Sequence, residues 1–509
     1  MTRHVASGWL GILCGATLLA AGCTRIDPKA EVQQAATHVE QATGTAPPWA
    51  SDERLELQPD ESGTVPLEQA VNLALANNRA LRADLEVIGQ AKADLVQAGL
   101  LHNPILSIMV RFPEAGGRSM FDFGVMQELS DLWLIPSRKR AAQAVLQQRL
   151  LSFSDTAIAL VSDVKTDYYA QQYQALAIDL QQQNLGLIRE AIEVAQVRLR
   201  AGQTGALDVN LLQSRLLETE LELLQLRSEQ RVTQQSLLRL MGVAQASVTW
   251  QPQPLLLDAQ TAALPEQESD LVAAALEQRL DVQAAGWELE AAAAEFQQEM
   301  LKLLPSLSVG LAGERTERRA PLERKIWADT LRESILAGKP TVPQFETPSQ
   351  RRLMKSREIR LLLGPALEVP LPIFDQNQAQ VAKAQYRARE LIRRYEELVQ
   401  RIIEGVRSAV AQRRLAEDKV RFYRQSLVPL QEANLQLAQT DYQGGRESIL
   451  TVLLVQEELI RTRLAYAAAV RDLLVNTANL ERQLAGRLPE GSKEPPTSQP
   501  ADESVEEPR

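Results

Sequence analysis

Cysteine and histidine are scarce in this chain, and long apolar runs are missing from nearly all of it. The only cysteines are Cys14 and Cys23, and the only histidines are His4, His38 and His102, none near another. That stock allows no disulfide framework and leaves little for metal binding. Past the first two dozen residues no apolar run reaches roughly 18 residues, so no transmembrane helix is available. Basic excess is lacking too: the net charge is −10 and the isoelectric point about 5.2. A nucleic-acid partner is therefore not expected, because neutralising phosphates needs a basic face. No Ser/His/Asp set, phosphate-binding loop or paired metal ligands stand out, so no enzyme activity and no cofactor are expected.

The N-terminus reads as a bacterial export signal over residues 1–22. Arg3 and His4 precede an uncharged, mostly apolar run from Val5 to Ala21, and Ala20-Ala21-Gly22-Cys23 follows. Small residues before a cysteine resemble a lipoprotein signal that leaves Cys23 lipidated and first in the mature chain. The leucine usual three places before that cysteine is here Ala20. An ordinary cleaved signal followed by a free thiol is the alternative. Residues 23–65, rich in Ala, Thr, Pro, Glu and Ser from Gln33 onward, read as a tether. Residues 488–509 are mostly Pro, Ser and acid and read as a disordered tail.

Between these ends the sequence repeats itself. Ala201-Gly202-Gln203-Thr204-Gly205-Ala206-Leu207-Asp208 through Gln213 aligns without a gap on Gly444-Gly445-Arg446-Glu447-Ser448-Ile449-Leu450-Thr451 through Gln456. Leu75, Leu81 and Ala83 match Leu276, Val282 and Ala284, and Pro104 to Ile108 matches Pro305 to Val309. Phe123-Gly124 then pairs with Leu363-Gly364 and Glu128 with Glu368, so the second copy has gained a long insertion between about residues 312 and 358. The expected organisation is a first repeat over 66–242, a linker over 243–267 and a second repeat over 268–487.

Each copy carries two helical stretches and two short alternating segments. From Ser137 to Arg200 there is one glycine, Gly186, and no proline, among strong helix formers. This predicts a helix of roughly 95 Å. Ala206–Met241, Gln376–Tyr442 and Glu447–Leu484 complete two long hairpins, and Pro429 superposes within a residue of Gly186. A kink or break is expected at both. Leu106, Ile108, Val110 and Phe112 alternate with polar or small residues, as do Phe121, Phe123 and Val125. In the second copy Leu307, Val309 and Leu311, and then Leu361, Leu363 and Leu367, do the same. Such alternation is that of a half-buried strand. Four strands cannot close a barrel. If they cross a bilayer, several chains must pool them, two giving eight and three giving twelve.

These residues resemble outer-membrane efflux proteins of the TolC type. Leu67 to Asn78 resembles the family's opening helix. Leu363-Gly364-Pro365-Ala366-Leu367-Glu368-Val369-Pro370-Leu371-Pro372-Ile373-Phe374-Asp375 resembles its second-half strand and the start of the following long helix. Tyr442-Gln443-Gly444-Gly445 with Ile449 to Leu453 resembles the turn at its periplasmic tip. The fold this implies is mainly α with a small β part. Duplicated long-helix hairpins form an α-barrel tunnel, and a homotrimer forms a twelve-stranded transmembrane β-barrel in outer-membrane lipid. The resemblance also implies a periplasmic adaptor (membrane fusion) protein and an inner-membrane pump of the RND type as partners.

By the same resemblance, the turns holding Gly202, Gly205, Gly444 and Gly445 form the periplasmic tip and meet the adaptor. Asp208, Tyr442, Arg446, Thr451 and Leu454 are gate candidates. Thr451 and Leu454 stand where well-studied relatives carry aspartate rings, which implies a constriction acting by size and poor wetting. Asp208 is either a carboxylate favoured by the helix dipole or a latch pairing with Arg446. Glu128 and Glu368 take matched polar-face positions expected to face a barrel lumen, as a solvated strand face or as selectivity groups. The insertion, rich in Arg and Glu, is expected in an outer loop, where it could cover the mouth. Pro370 to Gln378 most resembles the branch serving cobalt, zinc and cadmium pumps. Drug or solvent efflux and type I secretion are alternatives on the same fold. A structural coiled-coil envelope lipoprotein or an adaptor is the alternative of another class.

Overall fold

The computed structural model describes residues 26–49, 55–112, 119–243, 250–258, 264, 267–317, 322–342 and 359–486. The expected export signal with Cys14, the expected lipidation site Cys23 and the C-terminal segment read as a disordered tail lie outside these. The chain forms two compact units. One takes Met1–Ala93, Val145–Leu289 and Leu391–Arg509, and the other Asp94–Ala144 and Glu290–Glu390.

The elements in chain order are α1 (Lys29–Thr43), β1 (Thr64–Val65), α2 (Leu67–Asn77), α3 (Arg79–Ala98), β2 (Ile105–Arg111), β3 (Met120–Glu128), α4 (Asp131–Arg200) and α5 (Ala206–Leu240). The second copy continues with β4 (Gln251–Pro252), α6 (Glu268–Gln278), α7 (Leu280–Leu301), β5 (Ser308–Glu317), α8 (Leu322–Ala337) and β6 (Ile359–Glu368). It ends with α9 (Gln378–Phe422), a π-helical segment (Tyr423–Leu427), α10 (Val428–Gln443) and α11 (Ile449–Gln483). The four expected long helical stretches and the four alternating strands are all present.

The first unit is helical and shows the duplication in its packing. Leu237 and Met241 in the first copy, and their counterparts Leu480 and Leu484, are all buried. Asn78, between α2 and α3, donates from Nδ2 to the Leu240 carbonyl at 2.9 Å. In the second copy Arg279, between α6 and α7, donates to the Gln483 carbonyl at 3.2 Å. Each residue satisfies a carbonyl that the end of a long helix leaves without an intrahelical partner. Short strands β1 and β4 pair in parallel. The buried Tyr168 hydroxyl joins both segments, donating to Val65 O at 2.7 Å and accepting from the Gln253 N–H at 3.0 Å.

Three expectations change here. Residues 29–43, read as part of a tether, form an α-helix, because Ala35, Ala36 and Val39 share a face and are buried. Helix α4 begins at Asp131, six residues before the expected start, and accommodates Pro136 near its N-terminus. Only the second copy shows the expected irregularity. α4 runs unbroken through Gly186, whereas the π-segment ends directly before α10, which carries Pro429 near its start. Proline lacks the N–H that would donate to the carbonyl four residues back, and its ring crowds that carbonyl, so the turn widens. Glycine keeps its N–H, and its cost in a helix is about 1 kcal/mol.

The second unit holds a four-stranded sheet in the order β2-β3-β5-β6, antiparallel throughout. Register puts Leu106 opposite Val125, Val125 opposite Leu311 and Leu311 opposite Pro365. Ile108, Phe123, Gly313 and Leu363 form the next row on that face. This face is apolar and open: Ile108 is 60% exposed, Leu363 62% and Leu367 67%. The other face carries the small row Ser107, Gly124, Ala312 and Gly364, then Met109, Asp122, Glu314 and Leu362.

Candidate functional site

Two regions hold the residues singled out from the sequence. On the polar face of the sheet, Glu128, Ser308 and Glu368 lie side by side across β3, β5 and β6. Arg111 and Asp122 form an ion pair at 3.0 Å on the same face. The matched glutamates therefore do share a face and a level, as their positions in the repeat require.

Glu128 also belongs to a cluster where β3 leads into α4, which the sequence did not announce. Asp131 has a side chain only 1% exposed. It accepts from the backbone N–H of His102 at 2.6 Å and from Arg138 Nη2 at 2.6 Å, and the His102 ring Nδ1 lies 2.8 Å away. The Ser130 hydroxyl donates to Glu128, whose second oxygen is 3.8 Å from His102 Nδ1. Burial pushes the Asp131 carboxyl up, but the His102 N–H and ring and the Arg138 guanidinium outweigh it and hold the group below its usual range. The counterpart in the second copy uses other residues. Asn377, at φ 60°, donates to the Glu299 carbonyl and carboxylate, both at 2.8 Å, and Lys302 pairs with that carboxylate at 2.6 Å.

The second region is the pair of turns between the long helices. Gly202 and Gly445 both sit at φ 71°, a left-handed conformation that favours glycine. The bonds around them are duplicated. Gln203 N–H donates to Arg198 O at 2.9 Å and Arg446 N–H to Asp441 O at 2.8 Å, so each helix ends in the same capped reversal. Gly205 is the N-cap of α5 with extended backbone, and Gly444 keeps a right-handed conformation at φ −75°. The helix starts differ: Ser448 accepts from Thr451 N–H at 3.3 Å, whereas Thr204 donates its hydroxyl to Asp208.

The Asp208–Arg446 latch is absent. Asp208 takes Thr204 as its partner, and Arg446 lies 3.5 Å from Asp441 on its own turn. Both side chains find acceptors or donors within a few residues, so neither reaches across. The hairpins are joined by other groups. Arg198 stacks over the Tyr442 ring and donates to its hydroxyl at 3.3 Å, and Arg215 lies 3.6 Å from Glu457. Leu450 and Leu453 pack into the core of the first hairpin around Ile188, Val209 and Leu212. Thr451 bonds to Glu447 at 3.0 Å. Leu454 is 53% exposed and lines an apolar groove of about 300 Å³ with Leu187, Leu211 and Leu453. Among the described residues no cluster of His, Cys, Asp or Glu fit to hold a metal occurs, and no helix is long and apolar enough to cross a membrane.

Residues 271–486 match the outer membrane efflux protein family. The first half lies outside that match but repeats the same elements in the same order, and solved structures of such channels cover both halves. The second half of the chain thus resembles the outer membrane efflux protein family, and the fold of the whole chain is that of such channels. A structure of CusC shares its fold with a TM-score of 0.64 and 19% identity, over 86% of this chain and 96% of that one. The CmeC outer membrane channel of Campylobacter jejuni gives a TM-score of 0.65 at 14% identity, covering 84% of this chain and 86% of that one. In sequence, the cation efflux system protein CusC of Escherichia coli O6:H1 is 33% identical over 119 residues, 22% of this chain. That aligned stretch spans 26% of the relative's length. The fold is the mainly α fold of these channels, with one four-stranded antiparallel sheet among the described residues.

Proposed function

We propose that this chain is the outer-membrane exit duct of a tripartite efflux assembly, carrying cations delivered by an inner-membrane pump through a periplasmic adaptor. One observation carries the reading: the four-stranded sheet has an exposed apolar face and, among the described residues, two unpaired edges, β2 and β6. Unpaired backbone groups are not tolerated in hydrocarbon, so a sheet that meets lipid must close on itself. A single chain cannot do this, and three copies, β6 of each against β2 of the next, make twelve strands with room for a lumen.

In that assembly the apolar rows face lipid, and Glu128, Ser308 and Glu368 face water. Gly202 and Gly445 shape the periplasmic tips, the groove beside Leu454 receives an adaptor helix, and Tyr442, Thr451 and Leu454 line the narrow end. The acid excess on the polar face and the kinship with a cation efflux protein both favour cations as cargo. The chain does no bond chemistry in this role; the work is to keep a wet path open or shut.

Purified protein in a planar bilayer tests the duct. A steady ionic conductance is expected, with cations preferred over anions and that preference reduced in the double variant Glu128→Gln/Glu368→Gln. A preparation that inserts into lipid yet carries no current counts against it. Loss of cation tolerance in cells lacking the chain, without loss of drug tolerance, tests the cargo.

A further inference from the structure

The insertion in the second copy folds into a feature the channel does not need. Four residues after β5, helix α8 begins, and four residues reach no further than roughly 15 Å. Helix α8 is therefore held near that end of the sheet. It is 16 residues long. Trp327, Leu331 and Ile335, one helical turn apart, make an apolar stripe that is 71%, 65% and 72% exposed. Asp329 and Glu333 lie on the opposite side.

The chain then reverses at Gly338 and folds back along the helix. The Thr341 N–H donates to Ser334 Oγ at 3.0 Å, and its hydroxyl donates to Thr330 O at 3.3 Å. The returning segment covers the Thr330 and Ser334 flank and leaves the stripe open, adding Val342 at 81% exposure. Charge follows the same place. Across residues 318–358 Lys and Arg outnumber Asp and Glu two to one, in a chain whose net charge is −10. Arg315, two residues before β5 ends, is exposed on the otherwise apolar face between Phe121 and Leu361.

We propose that α8 is an interfacial helix that seats Trp327, Leu331 and Ile335 in an anionic lipid surface around the barrel, rather than covering the mouth. This rests on the reading of the sheet as a membrane wall. The stripe is as open and apolar as the outer face of the sheet, and a tryptophan on it suits the boundary between hydrocarbon and headgroups. The basic excess and Arg315 complement lipid phosphates, each cation near the surface adding attraction.

Nitroxide labels on the full chain, at Leu331→Cys, Glu333→Cys and Leu363→Cys in turn, test this after reconstitution into vesicles of phosphatidylethanolamine and phosphatidylglycerol. The parent chain treated with the same label serves as blank. Accessibility to oxygen over a nickel chelate is expected to be several-fold higher at 331 than at 333 and to approach that at 363. On pure phosphatidylcholine the value at 331 is expected to fall several-fold while that at 363 holds. A water-exposed 331 beside a lipid-exposed 363 overturns the helix proposal alone, and a water-exposed 363 overturns the wall itself. Spin coupling between copies at 331 places the helix over the mouth and contradicts the proposal. An unchanged 331 on phosphatidylcholine contradicts recognition of anionic lipid.

Discussion

In the first copy the helix after the strand pair, α4, runs without a break from Asp131 to Arg200. In the second copy the same path is divided into α9, a π-segment and α10. The copies close their tips with identical hydrogen bonds around Gly202 and Gly445, yet they anchor the start of the long helix with different chemistry. Asp131 with His102 and Arg138 does this in the first, and Asn377 with Glu299 and Lys302 in the second. Duplication has kept what backbone geometry demands and let side-chain solutions diverge. A positive φ at a tight reversal leaves few substitutes for glycine, whereas many polar pairs can tie a strand end to a helix.

The comparison can be broken in several ways. The largest effect is expected on the sheet, where matched positions should behave alike. Phe123→Arg and Leu363→Arg should each destabilise the assembled barrel by about 2–4 kcal/mol, read as a lower dissociation temperature on unheated gels. The Phe123 variant should be the worse of the two, since its ring also covers Gly313. If one is tolerated and the other is not, the two strand pairs do not meet the same environment.

The anchors come next. Asp131→Asn should cost about 2 kcal/mol through its lost charge-assisted bonds, measured by thermal or denaturant unfolding. Because the folded Asp131 carboxyl titrates below its unfolded value, its contribution is whole above about pH 4 and is lost as the pH falls through the lowered folded value. The variant should therefore differ from the parent by a constant amount at neutral pH and converge with it in acid. Asn377→Gly should cost about 1 kcal/mol, and Asn377→Ala more, because alanine adds strain at φ 60°.

The helix irregularity gives smaller effects. Pro429→Ala should restore a hydrogen bond worth about 1 kcal/mol and convert residues 423–427 to α-helix, making the second copy resemble the first. A high-resolution structure of the variant checks this, and a persisting π-segment would assign the irregularity to packing instead of to proline. Gly186→Ala should stabilise by about 0.5–1 kcal/mol, since nothing lies within 4 Å of the added carbon.

Much of this was legible in the sequence because it rests on local periodicity. The alternation in Leu106 to Phe112 and Leu361 to Leu367 gave the strands and their apolar face, and the absence of proline between Ser137 and Arg200 gave the helix. Pro429 carried its own signal. What remained hidden depends on partners distant in sequence or on competition among neighbours. His102 and Asp131 are 29 residues apart and belong to no periodic pattern. The helix at residues 29–43 is alanine-rich, with a weak apolar stripe whose value lies in what it packs against. Arg446 could have met Asp208 or Asp441, and only the structure shows that the local acid is taken.

The central claim is that this chain works only when its open sheet is closed by other copies. Native mass spectrometry of the particle extracted from the outer membrane in mild detergent tests it most directly. The account predicts three chains per particle, with no folded species lighter than the trimer. A monomer that stays folded and soluble without detergent would contradict it.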